Sequence, residues 1–107
     1  MSIIILKETL VELSEGDKFP SSLEGISEIH FNEGIYNIGE IKPFKSLTLM
    51  GKSKKTIIQG FFDTSLLKSS DNLILHNFTV SNKGKCPFIK FDGSYQLYRN
   101  NIDIKYN

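Results

Sequence analysis

Short alternations of apolar and polar residues, broken by Gly, Asn or Pro, run along most of the chain. Ile3-Ile4-Ile5-Leu6 reads as a strand, and Leu10, Val11 and Leu13 mark a weaker second one. Ser14-Glu15-Gly16-Asp17 is a turn signal. Pro20 through Glu24, closed by Gly25, fits one helical turn, with Pro at its start and Gly at its end. From residue 28 onward the pattern is strand-like throughout. Glu28-Ile29-His30-Phe31 and Ile35-Tyr36-Asn37-Ile38 flank the turn Asn32-Glu33-Gly34. Leu47-Thr48-Leu49-Met50 stops at Gly51, and Thr56-Ile57-Ile58-Gln59 stops at Gly60. Asn72-Leu73-Ile74-Leu75, Phe78-Thr79-Val80, Phe88-Ile89-Lys90-Phe91, Tyr95-Gln96-Leu97-Tyr98 and Ile102-Asp103-Ile104 follow. No helix-length segment separates them.

The strands repeat. Leu47-Thr48-Leu49, Leu73-Ile74-Leu75 and Tyr95-Gln96-Leu97 fill equivalent slots at steps of 26 and 22 residues, and Ile29-His30-Phe31 precedes the first by 18. After the slots come Gly51, Asn77 and Asn100 or Asn101, residue types that tolerate left-handed backbone. A second strand then begins. A period near 22 with variable loops is a solenoid signature, and asparagines at equivalent turns are placed to hydrogen-bond along the axis.

Composition agrees with a β fold. The 107 residues include no alanine, the best helix former, against 14 isoleucines and 8 phenylalanines, which suit pleated surfaces. The fold class expected is all-β, a short right-handed parallel β-helix with an N-terminal capping segment. Residues 1–27 form the cap and residues 28–107 the coils.

Particular stretches resemble a known class. Phe31-Asn32-Glu33-Gly34-Ile35-Tyr36 resembles the opening coil of pectin-lyase-like right-handed parallel β-helices. Leu47 to Gly60 and Asp71 to Asn82 are similar to their succeeding coils, and Gly16 to Pro20 resembles the segment capping the first coil. The resemblance implies about four coils. It implies no single activity, since this fold carries lyases, esterases, phage tailspikes and binding modules. Enzymes of the class have more coils, with catalytic residues on the middle ones.

Charge adds an asymmetry. Residues 1–44 hold 3 Lys and 8 Asp and Glu, a net charge of −5; residues 45–107 hold 9 Lys, 1 Arg and 4 Asp, a net charge of +6. Such a split suits head-to-tail stacking or a basic patch for an acidic partner. Cys86 is the only cysteine, so no internal disulfide forms, and a reducing, cytoplasmic setting is expected. The first residues lack the features of a signal peptide, and no apolar run reaches membrane-spanning length.

Candidate chemistry is sparse. Outward positions on the first sheet include His30, Thr48, Ile74 and Gln96, and none is an acid, so no catalytic residues and no enzyme activity are expected. His30 and His76 lack an evident third ligand, so no metal and no cofactor are expected. Gly51-Lys52-Ser53-Lys54-Lys55-Thr56 is not a phosphate loop, because Ser46 stands where that motif needs Gly. Lys52, Lys54 and Lys55 instead form a basic knob, extended by Lys83 and Lys85, and with Phe61 and Phe62 they are the expected partner contacts. A protein partner is favoured over nucleic acid. Ile102, Ile104 and Tyr106 end the chain on an alternating strand without a polar cap, which suits a homodimer through this coil. The function expected is a small non-enzymatic β-helix that binds a macromolecular partner. One such role is a phage or mobile-element inhibitor of a host nucleic-acid enzyme, in keeping with the Ile/Lys/Asn-rich composition of an AT-rich source. The alternatives are a self-assembling structural β-helix and a carbohydrate-binding remnant of a polysaccharide-active one.

Overall fold

Alternating apolar residues at two-residue spacing need a surface to pack against, and a solenoid supplies it by stacking each coil on the last. The computed structural model describes residues 9–84, 86–90 and 94–106. All its regular elements are strands: β1 (Thr9–Leu13), β2 (Ile26–Phe31), β3 (Gly34–Ile41), β4 (Leu47–Gly51), β5 (Thr56–Asp63), β6 (Asn72–Asn82), β7 (Ile89–Lys90) and β8 (Gln96–Tyr106). Every strand pairing is parallel. The result is a β-solenoid of about four turns. No helix among the described residues is long and apolar enough to cross a membrane.

The first sheet runs β1-β2-β4-β6-β8, using the first halves of β6 and β8. A second sheet stacks the starts of β3 and β5 on the ends of β6 and β8. The ends of β3 and β5 bend onto a third run that continues into β7. Inward side chains form continuous ladders. Ile29, Leu49 and Leu75 occupy one on the first sheet, and Tyr36, Ile58 and Val80 one on the second; all are buried. Phe62, Phe78 and Phe88 fill the space between sheets, with Phe88 edge-on to Phe62 at 5.1 Å and to Phe78 at 6.0 Å between ring centres.

The corners explain the strand lengths. Three to five residues per strand were expected, yet β6 and β8 each span 11. One left-handed residue is enough to turn the chain: Asn77 has φ 63° and Asn101 φ 60°, and pairing resumes at the next residue. Asn101 Nδ2 donates to Asn77 Oδ1 at 2.7 Å, and Asn77 Nδ2 donates to the carbonyls of Gly51 and Lys52 at 3.2 and 3.1 Å. This is the axial stack expected from the sequence. Gly51 differs from expectation, for its φ is not left-handed. Its role is close approach: a Cβ there would collide with the Asn77 carbonyl oxygen and come within 2.8 Å of Phe78 Cβ. At the next corner the side chain of Asn82 replaces a strand. It accepts from the Gly60 amide and donates to the Gly60 carbonyl, both at 2.8 Å.

Three expectations need correction. Residues 20–25 form no helical turn; a hydrogen bond from the Ile26 amide to the Leu23 carbonyl, 3.0 Å, closes a tight turn there. β1 is hydrogen-bonded to β2 as the first rung of the sheet, so a cap ending at residue 27 cuts through β2. The segment between them does shield the core end, with Phe19 stacked on Phe31 at 6.3 Å. Finally, the repeat is offset. Ile29 pairs with Leu49 rather than Leu47, and Leu73 with Leu97 rather than Tyr95. Each slip is two residues, which leaves every side chain on its predicted face. The expected strand at Ile3 to Leu6 and the residues Lys85 and Phe91 lie outside the described residues.

Candidate interaction surface

The outward side of the first sheet carries two rows of in-register side chains. One is Leu10, Glu28, Thr48, Ile74 and Tyr98; the other is Glu12, His30, Met50, His76 and Asn100. His30, Thr48, Ile74 and Gln96 all stand on this face, as the alternation implies. Over the last three rungs the rows border an open groove of about 860 Å³, whose walls include Met50, Ile74, His76, Tyr98 and Arg99. Tyr98 is 53% exposed. A second hollow of about 250 Å³ lies between Glu12, His30, Met50 and Lys52. Among the described residues no group of three or more His, Cys, Asp and Glu is placed to hold a metal ion.

The groove runs into the outer edge of β8. No strand pairs with that edge among the described residues. Arg99 extends the buried ladder of Ile29, Leu49 and Leu75, and there it is exposed. With Phe88, Ile102 and Ile104 it lines a hollow of about 150 Å³ at this end of the core. Arg99 is thus the last residue of that one inward row, beside apolar residues that also border this end. Ile102 is half-buried against the core and Ile104 is 36% exposed, so two of the three expected self-association residues face this end. The side chain of Tyr106 lies outside the described set.

The basic knob is smaller than expected. Lys54 Nζ reaches across the neighbouring rung to Asp103 Oδ2 at 2.9 Å, and the Lys54 carbonyl accepts from Thr79 Oγ1 at 2.8 Å. Ser53 Oγ donates to Glu33 Oε2 at 2.6 Å, which brings a carboxylate into the same corner. Lys52 and Lys55 remain exposed. Lys83 follows β6 at the Asn82 corner, on the far side of the second sheet, and so does not extend the knob. Phe61 and Phe62 are also apart from it. Phe62 is fully buried, and Phe61 is half-buried with Lys90 Nζ 4.0 Å above its ring. Alternation decides this pair: adjacent residues on a strand point to opposite sides, and Phe62 takes the inside.

Among the described residues, two titrating groups have shifted environments. Hydrogen bonds from Ser65 hold the Asp63 carboxyl below its usual range, assisted by Lys42 at 3.5 Å and opposed by desolvation. Burial pushes the Tyr36 phenol up, helped by the negative charges of Glu15 and Asp17. Its hydroxyl lies 2.7 Å from the Asn32 carbonyl and 3.1 Å from that of Leu13, tying adjacent rungs together.

Rung order along the axis follows chain order, so the charge split in the sequence places the acidic part on the rungs from β1 to β3 and the basic part on those from β4 to β8. Met50, Tyr98 and Arg99 are the surface residues that the sequence did not single out. The two-residue offset of the last repeat hid Tyr98 and Arg99. Comparison with protein-family models, curated proteins and solved structures finds no match.

Proposed function

We propose that this solenoid is a non-enzymatic protein-binding module that takes an acidic, extended segment of another protein along the β8 edge. The reading rests on one observation: an 11-residue strand whose outer edge is unpaired among the described residues, with Arg99 in its first half and the Tyr98 groove beside it. An unpaired strand edge supplies main-chain hydrogen bonds, and flanking side chains select the partner. The basic side chains of this strand, Arg99 and Lys105, favour Asp- and Glu-rich segments. The similarity of its coils to pectin-lyase-like β-helices and a reducing, cytoplasmic setting are part of the same proposal.

A second copy of the chain is the alternative occupant. Leu10, 47% exposed, and Tyr98 belong to one outward row at opposite ends of the solenoid. Stacking the acidic β1 end of one molecule on the basic β8 end of another continues that row. A two-fold dimer through β8 would instead bring two basic ends together.

Selection of random displayed peptides against the immobilised chain tests the reading. Acidic, alternating peptides should be enriched, and Arg99→Glu with Lys105→Glu should weaken them about tenfold or more, some 1.4 kcal/mol. Enrichment of peptides indifferent to these changes, or of none, overturns it. Light scattering at low and high salt separates the alternative, since head-to-tail polymers grow with concentration and dissolve in salt.

A further inference from the structure

Met50 sits between two histidines. His30 pairs with Met50 in the β2–β4 ladder, and Met50 with His76 in the β4–β6 ladder. All three side chains occupy one outward row, and all are half-buried. Met50 borders both hollows on this face, the one containing His76 and the one containing His30. Met50 therefore stands between the two hollows, with one histidine bordering each.

We infer that the His30–Met50–His76 row is a binding site for a soft monovalent metal ion, Cu(I) or its analogue Ag(I). Thioether sulfur and imidazole nitrogen together suit Cu(I), whereas hard divalent ions need oxygen donors. The spacing fits. In-register neighbours in a parallel sheet are about 4.8 Å apart. One metal–nitrogen and one metal–sulfur bond in line span roughly 4.3 Å, by the lengths such donors show with zinc. Met50 and either neighbouring histidine can thus hold the ion between them, and the other histidine stands one rung beyond the sulfur.

The surroundings prepare one of the ligands. His30 Nε2 and Glu28 Oε1 are 3.0 Å apart. A neutral imidazole that donates from Nε2 keeps its lone pair on Nδ1, so the carboxylate selects the tautomer and leaves Nδ1 for a metal. Glu28 is a positioning residue in this arrangement. Glu12, next in the row beyond His30, adds negative charge on the side from which a cation enters. Among the described residues His76 has no ion pair or hydrogen bond through its ring, so binding displaces none.

The test uses the whole chain with Cys86→Ser, which removes the competing thiol. Cu(I) is delivered from a chromogenic chelator while the Met methyl and His ring resonances are followed by NMR. The expected result is one ion per chain, a shift of the Met50 methyl and of at least one of the two histidines, and weak Zn(II) uptake. Met50→Leu keeps the volume of this half-buried position and should preserve the circular dichroism spectrum. It should lower Cu(I) affinity by more than the roughly tenfold expected for Glu28→Gln, the loss typical of an outer-shell partner. Unchanged affinity in a folded Met50→Leu chain, or a Met50 methyl that does not move on saturation, overturns the inference.

Discussion

Replacing Asn77 by alanine separates the two contributions its corner makes. The residue holds φ 63°, donates to two carbonyls and accepts from Asn101. Left-handed backbone costs an L-residue with a Cβ and no polar side chain about 1–2 kcal/mol. The three side-chain hydrogen bonds are at least partly accessible to water, which replaces much of each, so about 0.5 kcal/mol apiece is the appropriate figure, the low end of the usual range. Asn77→Ala should therefore cost about 2.5–3.5 kcal/mol. Asn77→Gly loses the same bonds without the Cβ strain and should cost about 1–2 kcal/mol. Asn77→Asp keeps the acceptor for Asn101 and loses both donations. Urea titration followed by circular dichroism measures all three, provided the slope with denaturant stays constant. Equal losses for Ala and Gly would refute the strain assignment. A Gly variant as stable as the wild type would refute the stabilising role of the stack.

Other consequences follow from individual contacts. Phe62→Ala should destabilise by about 3–5 kcal/mol, because it empties a core site, while Phe61→Ala should cost about 1 kcal/mol through the lost contact with Lys90; denaturant midpoints compare them. Asp63 has a depressed pKa, so its ionised form stabilises the fold above the unfolded-state value, about 3.9, and that contribution disappears as pH falls through the native value. The stability difference between wild type and Asp63→Asn, followed by acid titration, should accordingly be constant near neutrality and shrink below about pH 4. Breaking the Lys54–Asp103 pair by Asp103→Asn should cost at most about 1 kcal/mol and less in high salt, since the carboxylate is more than half exposed.

Face assignment was readable in the sequence because a strand's side chains alternate strictly. His30, Thr48, Ile74 and Gln96 point outward whatever the exact rung alignment. Phe62 needed one further fact, namely which of two adjacent rings matched the inward rows of Ile41 and Ile89. Rung alignment was harder, because corner lengths differ between coils and only cross-strand pairing fixes them. That uncertainty hid the row joining His30, Met50 and His76, whose members are 20 and 26 residues apart. The basic corner misled for another reason. Charge in a sequence does not show its partner, and Asp103, on the second rung from Lys54, takes one of the three lysines.

The rung order also sets how the molecule yields to force. Inter-strand hydrogen bonds lie along the solenoid axis, and each coil is held chiefly by the coil beneath it. A pull on the β8 end therefore loads one rung's bonds at a time, like thread drawn from a spool. From Asn72 to its partner Gln96 one coil advances 24 residues, which release roughly 80 Å of extended chain at about 3.3–3.6 Å each. The stacked asparagines and the Lys54–Asp103 bridge cross between rungs. They act as catches that each coil must slip before it unwinds, so the protein should lengthen in discrete steps at its basic end.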